Sequence, residues 1–313
     1  MAFRFLDLPA ARDDMRADAL AGLAAQPKFI PPKYFYDAPG CRLFEAICKQ
    51  PEYAVTRTEQ ALMASRLPEI AAAIGAVDCI LEPGAGDCSK VRVLLDALHP
   101  GQLIVLDIAG SALAPAAESL AHDYPRLDVT AIGMDFIHEL DAASPHIAPG
   151  RRLIYYPGSS IGNFSPAEAV AVLARFRQLA GEAGQLLIGF DLKKDPQLLH
   201  QAYNDAAGIT AAFNLNLLQR LNRELGANFD PARFRHYAFY NPQAGRIEMH
   251  LVSLVEQTVT ISDQSFHFDA GESLHTENSC KYRCDEFGGI ANSAGWKLKG
   301  EWAQDGFAVQ LYG

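Results

Sequence analysis

Glu82-Pro83-Gly84-Ala85-Gly86 is the stretch whose residue types and spacing most directly suggest chemistry. It follows a short apolar run, Asp78-Cys79-Ile80-Leu81, and precedes a segment from Lys90 to Leu98 that reads as a helix. Glycines at a strand-to-helix turn let the backbone approach a ligand, and the helix N-terminus offers free N–H groups. The next apolar run closes on Asp107, 21 residues after Gly86, where a carboxylate can take both hydroxyls of a ribose. A third run leads into Gly133-Met134-Asp135-Phe136, in which the acid can accept from an adenine amine while the ring stacks on the base. A lone GxG is a weak signal. The ordered set of glycine turn, acid and Asp-Phe at three successive strand ends is a much stronger one. A nicotinamide fingerprint wants a third glycine three residues after Gly86, and Ser89 stands there. Lys90 is one basic residue nearby, and nothing clusters to hold a pyrophosphate. S-adenosylmethionine needs no such clamp, so a methyl donor is the reading the residues favour.

The elements that must position this set alternate. Strands are expected near 78–82, 102–106, 128–132, 152–156 and 185–190, with helices at 58–74, 90–98 and 166–179. Ser165 with Glu168 three positions on is a capping box for the last of these. Strand, helix, strand repeated this way predicts an α/β fold with a parallel sheet and helices on both faces. Residues 195–225 read as one or two helices, 246–261 as β-rich, and the chain ends in a helix and two strands. The expected division is a donor-binding domain of 61–192 and 286–313, and a substrate-binding lid of 1–60 and 193–285.

Composition removes other classes. The 313 residues are 49% hydrophobic and 20% charged, which is ordinary globular composition and rules out disorder as the main state. A net charge of −10 with no basic run repels phosphate backbones, so nucleic acid is not an expected partner. No apolar run reaches the ~18 residues of a membrane span, and the first eighteen residues lack the apolar core of a leader. Six cysteines form no CxxC pair, which suits reduced thiols in the cytoplasm. His138-Glu139 and His275-Thr276-Glu277 make no HExxH, so no metal is expected. Gly158-Ser159-Ser160 is not GxSxG, so no hydrolase nucleophile is supported.

Five further segments carry a family resemblance. They are Tyr34-Phe35-Tyr36-Asp37, Pro51-Glu52-Tyr53-Ala54-Val55-Thr56-Arg57-Thr58-Glu59, and Pro157-Gly158-Ser159-Ser160-Ile161-Gly162-Asn163-Phe164. The others are the long run from Ala202-Tyr203-Asn204-Asp205 to Phe213-Asn214, and Leu274-His275-Thr276-Glu277-Asn278-Ser279-Cys280-Lys281-Tyr282. From about residue 30 to its end the chain resembles the bacterial histidine-specific Nα-methyltransferases of ergothioneine biosynthesis. That resemblance implies a class I methyltransferase fold and transfer of three methyl groups to the α-amine of L-histidine, giving hercynine. It implies that Gly84, Gly86, Lys90, Asp107, Asp135 and Phe136 hold the donor, with Tyr36 near it. It implies that Tyr53, Asn163 and Tyr203 bind the amino-acid part of the substrate, with Asn163 and Tyr36 closest to the chemistry. Glu277 and Ser279 would read the imidazole, and Met249 would line the same pocket. The implied enzyme is a monomer acting on a free amino acid. Two alternatives stand beside it: a methyltransferase for another amino acid or amine, and a donor-binding regulatory protein without turnover.

Overall fold

Buried parallel strands read as near-continuous apolar runs, because helices cover both faces of the sheet. All five residues of Cys79–Pro83 and all seven of Gln185–Asp191 are buried in this computed structural model, which describes residues 2–8 and 12–313. Met1 and residues 9–11, part of the stretch read as lacking a leader, lie outside the described residues.

In chain order the strands are β1 (Ala2–Asp7), β2 (Lys28–Phe29), β3 (Cys79–Pro83), β4 (Gln102–Asp107), β5 (Asp128–Gly133), β6 (Arg152–Tyr156) and β7 (Gln185–Asp191). They continue as β8 (Phe234–Asn241), β9 (Arg246–Ser253), β10 (Gln257–Ile261), β11 (Gln264–Phe268), β12 (Ser273–Cys280), β13 (Leu298–Gln304) and β14 (Phe307–Tyr312). The chain divides into two compact units. The first contains β1, Val55–Lys193 and Lys281–Gly313, and carries an eight-stranded sheet in the order β1-β5-β4-β3-β6-β7-β14-β13. Its first six strands are parallel, and β14 runs antiparallel to both β7 and β13. From β3 the chain winds one way through β4 to β5, and the other way from β6 to β7. The junction of β3 and β6 is therefore the switch point, and ligands of such sheets bind beyond the carboxyl ends of the strands there.

The second unit runs up to Ala54 and from Lys194 to Cys280. It holds a four-stranded sheet ordered β2-β12-β9-β8, a β10-β11 hairpin, and the helices Arg12–Ala24, Ala38–Ile47, Pro196–Tyr203 and Ile209–Leu225. The region 195–225 is thus two helices, and β12, which bears Glu277 and Ser279, is a full strand.

The boundaries differ from those expected. Residues 2–7 pair along the whole of β5 instead of joining the second unit, and the helix expected from Thr58 begins at Val55. The first unit resumes at Lys281 rather than at 286. An edge strand of six residues has no local mark of which sheet it will join, because its partner lies more than a hundred positions away. No helix among the described residues is long and apolar enough to cross a membrane.

Where the chain leaves the first unit and re-enters it, the two segments are tied side by side. Lys193 N–H donates to Tyr282 O at 3.0 Å, Tyr282 N–H donates to Asp191 O at 3.3 Å, and Lys281 Nζ lies 3.2 Å from Asp191. Both side chains of that ion pair are at most 2% exposed. A buried pair stabilises little by itself, but removing one member leaves the other charge without compensation. Lys281→Met should therefore cost about 3–5 kcal/mol in urea unfolding. The double variant Lys281→Met/Asp191→Leu should recover most of that loss.

Candidate functional site

After β3 the chain turns through Gly84 at φ 70° and Gly86 at φ 55°, both in the left-handed region that glycine adopts without strain. Gly84 and Ala85 donate their N–H groups to Leu106 O at 2.7 and 3.1 Å, which draws the turn onto the end of β4. There Asp107 accepts from Gly86 N–H through one oxygen at 2.9 Å and from Ala109 N–H through the other at 2.8 Å. Each oxygen keeps a second lone pair, so the carboxylate is oriented yet still able to accept from two hydroxyls. Burial pushes the Asp107 carboxyl above its ordinary range, and the N–H groups of Ala109, Gly86 and Ile108 draw it back.

The third expected element arrives at the same place. Met134 N–H donates to Asp107 O at 2.9 Å, tying the end of β5 to the end of β4. Asp135 caps the short helix Phe136–Glu139, accepting from Ile137 N–H at 3.1 Å, and meets His138 Nδ1 at 2.9 Å. The Phe136 ring stands edge-on to Tyr156 at 6.3 Å, and a Cβ on Gly84 would lie about 4 Å from both rings. Gly84, Gly86, Asp107, Asp135 and Phe136 thus share one end of the sheet, at the switch point.

Lys90 is there too, but its charge is engaged. Its Nζ lies 2.8 Å from Glu59 Oε2, while Glu59 Oε1 accepts from Gly158 N–H at 2.7 Å. Glu59 had no role in the sequence reading. The available signal was its position on the buried stripe of Val55–Ile74, beside Val55, Leu62 and Met63, where a carboxylate needs partners. The loop that Glu59 holds leads through Ser159, whose Oγ accepts from Asp191 N–H at 2.9 Å, into the turn Ser160–Asn163. Asn163 ends that turn half-buried, and its side chain meets no hydrogen-bond partner among the described residues. An amide so placed is free to accept from an incoming amine.

The remaining expected residues lie in the second unit. Tyr53 and Tyr203 meet edge-on at 6.2 Å, and Tyr203 donates its hydroxyl hydrogen to Ser279 Oγ at 2.7 Å. Glu277 pairs across the sheet with Met249, and Glu277, Ser279 and Met249 are all buried. Tyr36 also belongs to this unit, with its ring against Phe44 at 5.8 Å and Phe213 at 6.0 Å. The expected donor residues are therefore divided, with Tyr36 in one unit and the other six in the first.

Three residues missed from sequence shape the second group. The register of β12 against β9 shifts between His275 and Glu277. The intervening Thr276 donates its hydroxyl to the buried Asn214 Oδ1 at 2.8 Å, and Asn214 Nδ2 donates to His250 O at 3.0 Å. This network fixes the bulge, and the bulge decides which way Glu277 faces. Asp205 takes Ile209 N–H and Thr210 N–H, each at 2.8 Å, and so caps the helix that carries Asn214. Part of the long Tyr203–Asn214 motif therefore builds the local structure.

Beneath the glycine turn, Glu82 is fully buried, and neither carboxyl oxygen has a hydrogen-bond partner among the described residues. Burial pushes its carboxyl well above the ordinary range; Lys90 opposes this, and Asp87, Glu59 and Asp107 add to it. A carboxyl raised on folding holds its proton in the native state while the unfolded chain loses it, so stability falls as pH rises above about 4.3. Glu82→Gln should remove that loss. Between that point and the pH at which the native carboxyl itself ionises, the stability difference between variant and wild type should widen in favour of the variant by up to about 1.4 kcal/mol per pH unit. Urea unfolding across a pH series measures it, and a constant difference would show that Glu82 does not titrate this way.

The sequence profile described as histidine-specific methyltransferase, SAM-dependent, matches residues 15–312. The chain is 42% identical over 285 residues to the histidine N-alpha-methyltransferase of Mycolicibacterium smegmatis, covering 89% of this chain and 88% of that one. Against the protein of the same name from Mycobacterium tuberculosis it is 39% identical over 287 residues, covering 90% and 88%. Ergothioneine biosynthesis protein 1 of Neurospora crassa is 28% identical over 88% of this chain and 32% of its own length. With the donor-site geometry, these matches establish that the chain belongs to the histidine-specific, S-adenosylmethionine-dependent methyltransferase family.

Proposed function

We propose that this protein transfers methyl groups from S-adenosylmethionine to the α-amine of L-histidine, three times in succession, to give hercynine for ergothioneine biosynthesis. The observation that carries the substrate is the pairing of an acid and a hydroxyl on one face of β12. Glu277 and Ser279 are two apart on the strand, both buried, with Met249 directly across from Glu277. A neutral imidazole has one N–H to donate and one nitrogen to accept with. Glu277 takes the N–H. Ser279, whose oxygen accepts from Tyr203, carries a hydroxyl that can donate to the other nitrogen. The names of the two mycobacterial relatives support the same substrate, and the Neurospora relative supports the pathway.

The chemistry is an in-line displacement. The amine lone pair attacks the methyl carbon of the sulfonium, the carbon–sulfur bond breaks toward sulfur, and S-adenosylhomocysteine leaves. The amine gives up a proton to water before each of the next two transfers. The donor supplies the electrophile, so the protein's contribution is orientation. Asp107 takes the ribose hydroxyls, Asp135 and Phe136 take the adenine, and the glycine turn admits the amino-acid end of the donor. Asn163 accepts from the substrate amine and aims its lone pair. Tyr53 binds the substrate carboxylate. Tyr203, assigned to the amino-acid part of the substrate by the family resemblance, acts in our reading through Ser279. A cytoplasmic location belongs to the same proposal, and it is supported by six free cysteines.

Incubation with labelled S-adenosylmethionine and the twenty amino acids tests the whole reading. Histidine should gain three methyl groups on one nitrogen. Transfer to a different amino acid with histidine untouched would overturn the assignment.

Two variants separate the parts. Asp107→Ala should weaken S-adenosylhomocysteine binding at least about tenfold in calorimetry, since a carboxylate holding two hydroxyls contributes about 1.5–3 kcal/mol. Glu277→Ala should keep donor affinity and lose about ten- to hundredfold in kcat/KM for histidine. Wild-type kinetics in that variant would remove Glu277 from substrate recognition.

A further inference from the structure

The face of the small sheet opposite Met249 carries a group of side chains that methyl transfer does not use. His250 and His275 are direct cross-strand neighbours on β9 and β12, with ring centroids 5.1 Å apart. Glu248 lies two residues before His250, so strand alternation puts it on the same face, away from Met249. One ligand atom from each of the three residues lies within 4.8 Å of those of the other two. Glu248 Oε2 and His250 Nε2 are already 3.3 Å apart, which is about the spacing of two ligands on a tetrahedral zinc ion.

We propose that Glu248, His250 and His275 form a binding site for a divalent transition-metal ion of the zinc class. The ion is structural, and it clamps β9 to β12 beside the bulge that orients Glu277. Residues i and i+2 on one strand with a third across the ladder supply three ligands from one side, leaving the fourth position to water. The supporting contacts are of the kind that orient metal ligands. Glu248 Oε1 accepts from Arg246 Nε at 2.9 Å and from Asn241 Nδ2 at 3.0 Å. His275 Nε2 meets Asn278 Oδ1 at 3.0 Å, and Phe239 stacks on the His250 ring at 5.6 Å.

The Arg246 guanidinium works against a cation here, and affinity therefore rests on the imidazoles more than on net charge. Linear spacing concealed the group, because 25 residues separate the two histidines and only the strand register brings them together.

The test uses the full untagged chain, stripped with a chelator and titrated with zinc chloride by calorimetry without substrate. One ion should bind per chain and raise the melting temperature. His250→Ala, His275→Ala and Glu248→Gln should each weaken binding at least about tenfold. His267→Ala, at an exposed histidine paired with Asp269, should leave it unchanged. Glu248→Gln keeps the shape of the side chain and decides the matter if the histidine variants fail to fold. Absence of one-to-one binding would overturn the proposal, and so would binding that survives in Glu248→Gln and the histidine variants.

Discussion

One buried carboxylate holds the donor end of this molecule together. Glu59, on the first long helix of the sheet unit, takes Lys90 through one oxygen and the backbone of Gly158 through the other. The helix, the segment after the glycine turn and the loop that ends in Asn163 are separated by 31 and 99 positions along the chain. They meet at a group that is 2% exposed. A charge so deeply buried is tolerable only when it is paired and hydrogen-bonded, so the three elements are fixed by the same requirement. Even the neighbouring strand is shaped by it. A Cβ on Gly189 would come within 2.6 Å of Glu59 Oε1, and that position must therefore stay small.

From this anchor the donor site follows by short steps. The glycine turn after β3 is drawn onto β4 by the Leu106 carbonyl, and Asp107 is oriented by two backbone N–H groups. Both interactions are made by the chain's own backbone, so on the proposed reading the carboxylate that takes the ribose is oriented by the turn itself. The second unit solves its own problem with a different device. Asn214 and Thr276 set a bulge in β12, and the bulge turns Glu277 toward Met249. On the proposed reading, substrate choice rests on strand register, with a buried polar network enforcing it.

What could be read from sequence was what is local. The glycine turn, the acid at the end of the next strand, the Asp-Phe pair and the capping box at Ser165 each depend on residues a few positions apart, and the structure shows all four. Glu277 and Ser279 were expected to share a side because they are two apart, and β12 is indeed extended there. The rest depends on long-range pairing. Nothing near Phe3 or Phe5 announces a strand on the edge of β5, and nothing near Glu59 names Lys90 and Gly158 as its partners. The His250–His275 pair exists only because of a register that Thr276 interrupts. Tyr36 was assigned from motif context, and its aromatic contacts with Phe44 and Phe213 could not be anticipated from spacing.

The central claim is that two side chains of one strand read both nitrogens of an imidazole. Calorimetry with the two ring-methylated isomers of histidine, in the presence of S-adenosylhomocysteine, tests it most directly. A methyl group on either nitrogen removes the contact with Glu277 or with Ser279, and a buried polar group left unpaired is costly. The account predicts that each isomer binds at least about tenfold more weakly than histidine. An isomer that binds as tightly as histidine would show that its methylated nitrogen is not read, and would contradict the account.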